Sequence, residues 1–319
     1  MRELIVASCL VSLVAGCKQT PEPPKKSPAA EPATKEAPSA EPLPAGVRVE
    51  LANTEGRSCR RTLCVAGPGE LDSVANRDLA ELCRRSPGIV QRCEGERCAT
   101  VWTSEQWQTG LDGMIGTLDQ NEDGKVDEKD PSCSVGLAGW STGAVIVSDA
   151  LPRALAGDAR VNADRAEVDR LLAIAPYFAE PGPDRAQLQI ADNVRKAFIY
   201  RQTKSPAGDC SAAFEGGPWL SPAPVCGENT TCYDYDYSQK SDNLAYIGRR
   251  GSRSGNEVGH CNIVSLVAKI GLDNLARGQE SYTQLVPPYS DGTHGGRELP
   301  HGPAKPDPVV VLPNEPEPD

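Results

Sequence analysis

Apolar residues in the middle of the chain follow two spacings, one typical of strands and one typical of helices. Short runs of apolar and β-branched residues predict strands at residues 47–51, 61–66, 99–102, 171–176, 196–202 and 244–250. Apolar residues that recur every three or four positions predict helices at residues 72–83 and 104–118. Helical segments are also expected near residues 187–193 and from about residue 258 to residue 275. Strands and helices therefore alternate along the chain.

The most distinctive stretch runs from Ser134 to Val147. It starts as a short apolar run, breaks at two glycines that flank a serine, and continues as an apolar segment long enough for a helix. The sequence from Gly139 to Gly143 fits the pattern Gly-x-Ser-x-Gly, and its flanks predict the strand, sharp turn and helix that this motif requires. Ser141 at the tip of such a turn has a strained backbone, and side chains two residues away on either side would collide.

These residues resemble the nucleophile motif of the α/β-hydrolase superfamily. The resemblance covers roughly residues 60–280 and implies an α/β fold, with a mainly parallel sheet and helices on both faces. It also implies a catalytic triad in the order serine, acid, histidine. Ser141 would be the nucleophile. His260 would be the base, since it follows a glycine between the last predicted strand and the last helix. Asp209 would be the acid, and the competing acids are Asp184, Asp234 and Asp236.

The same resemblance predicts where the negative charge of the reaction is bound. One N–H would come from Thr142, directly after the nucleophile, and another from the loop that follows an early strand. That loop contains Gly67, Pro68, Gly69 and Glu70. Proline has no N–H, so Gly69 is the predicted donor. A plain turn at this position is an equally good interpretation.

A calcium loop is predicted at residues 119–130, between the helix and the nucleophile strand. The spacing matches an EF-hand loop, with oxygen ligands at its first, third and fifth positions and glycine at its sixth. The last position holds an aspartate in place of the usual glutamate, as in dockerin-type loops, and no exit helix follows. The alternative is an acidic exposed turn. The predicted role of Ca²⁺ is structural, and its expected ligands are Asp119, Asn121, Asp123, Lys125 through its carbonyl, Asp127 and Asp130.

Both ends of the chain predict segments outside the folded domain. Residues 1–16 read as a signal peptide that ends in a lipobox, so Cys17 is the predicted lipidation site and membrane anchor. An ordinary signal peptide with a chance cysteine is the alternative. Residues 17–46 form a predicted tether rich in Pro, Ala and Glu, and residues 297–319 form a predicted disordered acidic tail. The expected location is the bacterial cell envelope, at the outer membrane or cell surface.

Charge and cysteine content narrow the class of protein. The net charge of −11 makes a nucleic-acid partner improbable. Of the 12 cysteines, Cys9 lies in the predicted signal peptide and Cys17 directly follows it, and the even number that remains suits disulfides in an oxidising compartment. Two cysteines around a charged turn predict a stapled hairpin at residues 89–98, and Cys226 could pair with Cys232. A bond from Cys210 to Cys261 would join the acid and histidine loops.

The predicted domain therefore spans residues 47–296, with a possible cap at residues 211–243 that a solvent-facing loop could equally explain. The predicted function is a lipid-anchored serine hydrolase that cleaves a small-molecule or polymeric ester, with an amide as the second choice. The alternative is a non-catalytic calcium-binding surface lipoprotein on the same fold.

Overall fold

The structure is a computed structural model, and it describes residues 46–54, 59–67, 74–178, 187–202, 220–236, 259–261, 263–265, 267–268, 275–276 and 297–299. The signal peptide, the tether with Cys17, Gly69, Asp184, Asp209 and the strand predicted at residues 244–250 lie outside these residues. No helix within the described ranges is long and apolar enough to cross a membrane.

Strands and short helices alternate through the described chain. The strands are β1 (Val47–Ala52), β2 (Arg60–Val65), β3 (Ile89–Glu94), β4 (Arg97–Ala99), β5 (Ser134–Trp140), β6 (Val168–Ile174), β7 (Gln187–Gln189), β8 (Val194–Arg201), β9 (Ala223–Val225), β10 (Thr231–Asp236) and β11 (Arg297–Leu299). The helices are α1 (Val74–Arg84), α2 (Trp107–Leu118), α3 (Thr142–Val145) and α4 (Leu151–Gly157), with a π-helical turn at Ile146–Ala150 and a 3₁₀ turn at Ala163–Arg165. Further helical residues lie at 263–265, 267–268 and 275–276.

One nine-stranded sheet organises the described chain, in the order β1-β3-β2-β5-β6-β8-β10-β11, with β4 beside β3. Neighbouring strands from β3 to β10 run parallel, and antiparallel partners flank them at both edges. The short strands β7 and β9 pair in a separate parallel sheet. A mostly parallel sheet with helices is an α/β fold, consistent with the α/β-hydrolase-like architecture. Parallel strands also bring their carboxyl ends to one edge, where this architecture builds its sites.

The strand that carries Ser141 is covered on both faces. Val135 and Leu137 belong to one hydrophobic core with α2, while Ala138 and Trp140 belong to a second core with α1 and the helical residues after residue 262. Every residue of β5 after Ser134 is buried. A central parallel strand must be apolar on both faces, which is why residues 135–140 read as a continuous apolar run.

The helical segment after the nucleophile contains one wide turn, which follows from Pro152. Proline has no N–H, so it cannot donate the helical hydrogen bond to the carbonyl of Ser148. That carbonyl instead accepts the N–H of Ala191 at 2.9 Å. The π-helical turn at Ile146–Ala150 lies beside this break and shifts the helix register by one residue.

Two predicted elements at the carboxyl-terminal side need correction. Residues 231–236 fall in the predicted cap, but they form β10, which pairs parallel to β8 along the central sheet. Both faces of this strand reach a core, since Cys232 is buried in the first hydrophobic core while Tyr235, on the opposite face, is buried in the second. Residues 297–299 fall in the predicted disordered tail, yet they form β11 on the edge of β10.

Three further predictions were wrong in detail. Residues 187–193 are not helical, because residues 187–189 form β7, with Leu188 buried between two exposed glutamines. The predicted strand at residues 99–102 ends at Ala99, and Trp102 makes only an isolated bridge to Val65. The second helix begins at Trp107 and not at Ser104, whose hydroxyl bonds Glu105 in place of a backbone cap.

Disulfides hold the fold at several points. The hairpin prediction is confirmed by the Cys93–Cys98 bond, and the suggested Cys226–Cys232 bond is present. Two further bonds join Cys59 to Cys133 and Cys64 to Cys83. Cys261 is disulfide-bonded as well, with a partner outside the described residues, and its pairing with Cys210 stays a prediction.

Candidate active site

Ser141 lies at the carboxyl end of β5, on the sharp turn that leads into α3. Its backbone has φ 58° and ψ −125°, in a region that L-residues rarely occupy. The flanking glycines make this turn possible. A Cβ on Gly139 would lie 2.4 Å from the carbonyl oxygen of Gly143, and a Cβ on Gly143 would lie 2.3 Å from that of Val65. Both glycines of the motif are therefore required by close backbone contacts.

The imidazole of His260 reaches the serine hydroxyl directly. The distance from His260 Nε2 to Ser141 Oγ is 2.9 Å, although 119 positions separate the two residues in the chain. Both residues are buried, with 1% and 2% of their surface exposed. The backbone N–H of Ser141 is held by the carbonyl of Ile174 on β6 at 3.0 Å. The structure thus brings together a hydroxyl and a base in the geometry needed for nucleophilic catalysis.

Aromatic residues fix the position of His260. The indole N–H of Trp140 donates to the carbonyl of His260 at 3.0 Å, and the two rings lie 5.4 Å apart. The ring of Tyr177 meets the imidazole edge-on, with 5.6 Å between the ring centres. The backbone N–H of Tyr177 donates to the carbonyl of Ser141 at 3.3 Å. Sequence reasoning missed both residues. Trp140 stood inside the motif at a position where any residue is allowed, so no local signal identified its role.

Burial keeps the imidazole neutral. Loss of water around the ring lowers the pKa of His260 from 6.5 to about 3, because the charged form is poorly solvated there. A neutral Nε2 can accept the proton of Ser141, as a general base must. The charged form produced in that step needs stabilisation from a group beside Nδ1.

The described neighbour of Nδ1 is an amide, which the sequence did not predict. Gln202 is fully buried directly after β8, and its Nε2 lies 3.5 Å from His260 Nδ1. The rotation of the amide and the tautomer of the histidine decide which atom donates. Gln202 closed the strand predicted at residues 196–202, so its place at the carboxyl edge of the sheet was the available signal.

Among the candidate acids, Asp234 forms an ion pair with Arg201. Its carboxylate binds the guanidinium of Arg201 through two bonds of 2.5 and 2.6 Å, between neighbouring strands β10 and β8. Both side chains are nearly buried. Asp234 therefore serves as the partner of Arg201 and is a poor candidate for the acid beside His260.

The predicted oxyanion region is described in part. Thr142 is the first residue of α3, directly after the nucleophile. Gly67 lies against the site, because a Cβ there would come within 2.8 Å of the Cβ of Ser141 and 2.6 Å of the Trp140 ring. The loop that follows β2 therefore begins in direct contact with the nucleophile.

The predicted calcium loop folds around its own carboxylates. Asp119 accepts the N–H groups of Asp123 and Gly124 at 3.2 and 2.8 Å, and Gly124 has φ 85°. At the other end of the loop, Asp130 accepts the N–H groups of Gln120 at 2.7 Å and Asp127 at 3.2 Å. Burial alone would raise the pKa of Asp130, but these backbone N–H groups lower it overall.

Lys129 supplies positive charge to this loop. Its ammonium lies 3.1 Å from Asp123 and 3.6 Å from Asp127, and the hydrogen bond from Lys129 lowers the pKa of Asp123. In the described part of the chain, the one group of three His, Cys, Asp or Glu side chains with ligand atoms within 4.8 Å of one another lies elsewhere, at Glu50, Cys93 and Cys98. Those cysteines form a disulfide, which removes them as metal ligands. The loop oxygens match the donor type that calcium prefers.

Comparison with known proteins adds little to this picture. No protein-family model matches the chain, and no curated protein matches it. Among solved structures, the chain is similar to Est1E from Butyrivibrio proteoclasticus, with 12% sequence identity and a TM-score of 0.32 over 71% of this chain and 91% of that chain. At this level of similarity, the fold and the site are defined by the strand order and the residue geometry of this chain itself.

Proposed function

We propose that this chain is a serine hydrolase that cleaves esters. The observation that carries the proposal is the 2.9 Å contact between Ser141 Oγ and His260 Nε2, at a strained turn in a buried site. A serine hydroxyl is a weak nucleophile, and a neutral base within hydrogen-bonding distance is the standard means of activating it. Other buried serines of the described chain, such as Ser86 and Ser148, bond backbone carbonyls instead.

The reaction would proceed in two halves. His260 takes the proton of Ser141 as Oγ attacks the ester carbonyl, and the tetrahedral intermediate collapses when the same proton passes to the departing alkoxide. Water then attacks the acyl carbonyl with His260 as the base again, the bond between the acyl carbon and Ser141 Oγ breaks as His260 returns the proton to Oγ, and the acid product leaves. The oxyanion would be bound by the N–H groups of Thr142 and Gly69, as the resemblance implies.

We propose Asp209 as the acid that orients His260 and stabilises its charged form. It lies outside the described residues, in the part of the sequence that follows β8 and Gln202. Support comes from the end of this strand, because Gln202, the last described residue before Asp209, meets Nδ1 of His260. The amide of Gln202 would then be a second polar neighbour of the imidazole.

Labelling with a fluorophosphonate probe tests the enzyme proposal. Wild-type protein should label covalently, Ser141→Ala should not, and Ser148→Ala should label as the wild type does, since Ser148 bonds Ala144 away from the site. His260→Gln should slow labelling by at least about 1,000-fold if the imidazole is the activating base. A folded wild-type protein that resists the probe would favour a non-catalytic binding role.

We also propose that the loop at residues 119–130 binds one Ca²⁺ as a structural ion. The ligands would be Asp119, Asn121, Asp123, the Lys125 carbonyl, Asp127 and Asp130. A bound Ca²⁺ would neutralise these carboxylates and displace the ammonium of Lys129, because the two cations share Asp123 and Asp127.

Thermal unfolding with and without calcium tests the ion. At a free concentration of about 100 times Kd, binding should raise the free energy of unfolding by about 2.7 kcal/mol. Asp123→Asn should abolish this rise, while Asp164→Asn, an exposed aspartate outside the loop, should leave it intact. An identical melting temperature in calcium and in chelator would count against the site.

The anchor proposal follows from the lipobox alone. We propose that Cys17 is lipidated and that the tether holds the domain at the bacterial cell envelope. Partition of the full-length protein into a detergent phase, lost in Cys17→Ser, is the corresponding test.

A further inference from the structure

The hydroxyl of Thr142 is a buried polar group with no hydrogen-bond partner among the described residues. Buried polar atoms in native proteins are nearly always bonded, and an exception calls for an explanation, of which a catalytic role is one. Thr142 directly follows the nucleophile and opens α3. The unpaired hydroxyl therefore belongs to the residue on which the proposed oxyanion site depends.

Two other hydroxyls in the helical segments donate to a backbone carbonyl of their own helix, a hydrogen bond that Thr142 lacks. Ser148 Oγ donates to the carbonyl of Ala144 at 2.7 Å, and Thr117 Oγ1 donates to that of Met114 at 2.7 Å. Such bonds need a helical carbonyl three or four residues earlier. The residues before Thr142 belong to β5 and to the strained turn at Ser141, so no helical carbonyl precedes it.

We propose that Thr142 Oγ1 donates a hydrogen bond to the oxygen that becomes negatively charged when Ser141 attacks the substrate carbonyl. This assignment rests on the proposed hydrolase function. The hydroxyl and the N–H of Thr142 belong to one residue, directly after the nucleophile. The proton stays on Oγ1 throughout, and the bond strengthens as charge develops on the substrate oxygen, so Thr142 stabilises the transition state more than the bound substrate.

Two substitutions at Thr142 isolate the hydroxyl from the shape of the side chain. Thr142→Val keeps the branched shape and removes the donor, while Thr142→Ser keeps the donor and removes a methyl group. With p-nitrophenyl acetate, the valine variant should lose about 10- to 100-fold in kcat with little change in KM, because a transition-state donor is lost. The serine variant should stay within about 3-fold of the wild type.

The melting temperature of Thr142→Val distinguishes a catalytic hydroxyl from a structural one. An unpaired buried hydroxyl costs free energy, so Thr142→Val should melt at the wild-type temperature or above it while its activity falls. A structural hydroxyl would instead give a lower melting temperature in the valine variant.

The outcomes separate this assignment from the function on which it rests. If the wild type hydrolyses the ester and labels at Ser141 while Thr142→Val keeps full kcat, the role of Oγ1 is wrong and the hydrolase proposal stands. Equal losses in the valine and serine variants also overturn that role, since they point to packing. A wild type with neither turnover nor labelling overturns both proposals.

Discussion

Replacing Gly143 with alanine should damage both the stability of the protein and the reactivity of Ser141. A Cβ at this position would lie 2.3 Å from the carbonyl oxygen of Val65 and 2.5 Å from that of Ala66. Both atoms are backbone, at the carboxyl end of β2, and they cannot rotate away as a side chain could. Either β2 or the start of α3 must shift.

The expected cost follows from how far these atoms must move. Ordinary carbon–oxygen contacts are well above 3 Å, so the displacement is about 1 Å in a region where Val65 and Ala66 are fully buried. Overpacking of this kind costs about 1–3 kcal/mol when side chains can adapt, and the rigid strand places Gly143→Ala at about 3 kcal/mol or more. A shift of this size at α3 also moves Ser141 relative to His260, which should slow fluorophosphonate labelling by about 100-fold.

Urea unfolding of Gly143→Ala provides the measurement, and Gly116→Ala provides the control. Gly116 lies within α2, and a Cβ there would meet no heavy atom within 4 Å. Alanine at Gly116 should therefore raise the free energy of unfolding by up to about 1 kcal/mol and leave labelling unchanged. A Gly143→Ala protein with wild-type stability and labelling rate would refute the steric account of the motif.

Three other predictions concern groups around the sheet. Burial lowers the pKa of His260 to about 3 from 6.5, so the unfolded chain binds a proton that the native state does not between these values. The free energy of unfolding should thus fall by about 2–3 kcal/mol from about pH 6 to about pH 4 because of His260 alone. Urea titration of His260→Gln at both pH values should show a fall smaller by this amount. Alanine in place of both Cys59 and Cys133, which close a loop of 74 residues, should lower the free energy of unfolding by about 4 kcal/mol in the same assay, and an unchanged urea midpoint would contradict this. Arg201→Met should lower the free energy of unfolding by about 3 kcal/mol, because it leaves the carboxylate of Asp234 unpaired. Adding Asp234→Leu should restore much of that loss, and a double variant no more stable than Arg201→Met would contradict this.

The sequence by itself determined the elements whose signals are local. The strand before Ser141 was predictable because a central strand needs apolar residues on both faces, and the turn was predictable because its glycines have no substitute. The hairpin closed by Cys93 and Cys98 was predictable as well, since two cysteines on either side of a short charged turn lie close enough in the chain to pair. Each of these signals lies within a few residues of the feature that it specifies.

Only the tertiary structure decided which distant groups meet at Ser141. Residues 231–236 become a strand of the large sheet because β8 offers them a parallel partner, and their alternation alone does not specify which strand they pair with. The contacts of Gln202 and Trp140 with His260, and the pairing of Asp234 with Arg201, depend on which strands are neighbours. Strand order is set by packing of the whole sheet, a property that no single stretch of sequence encodes.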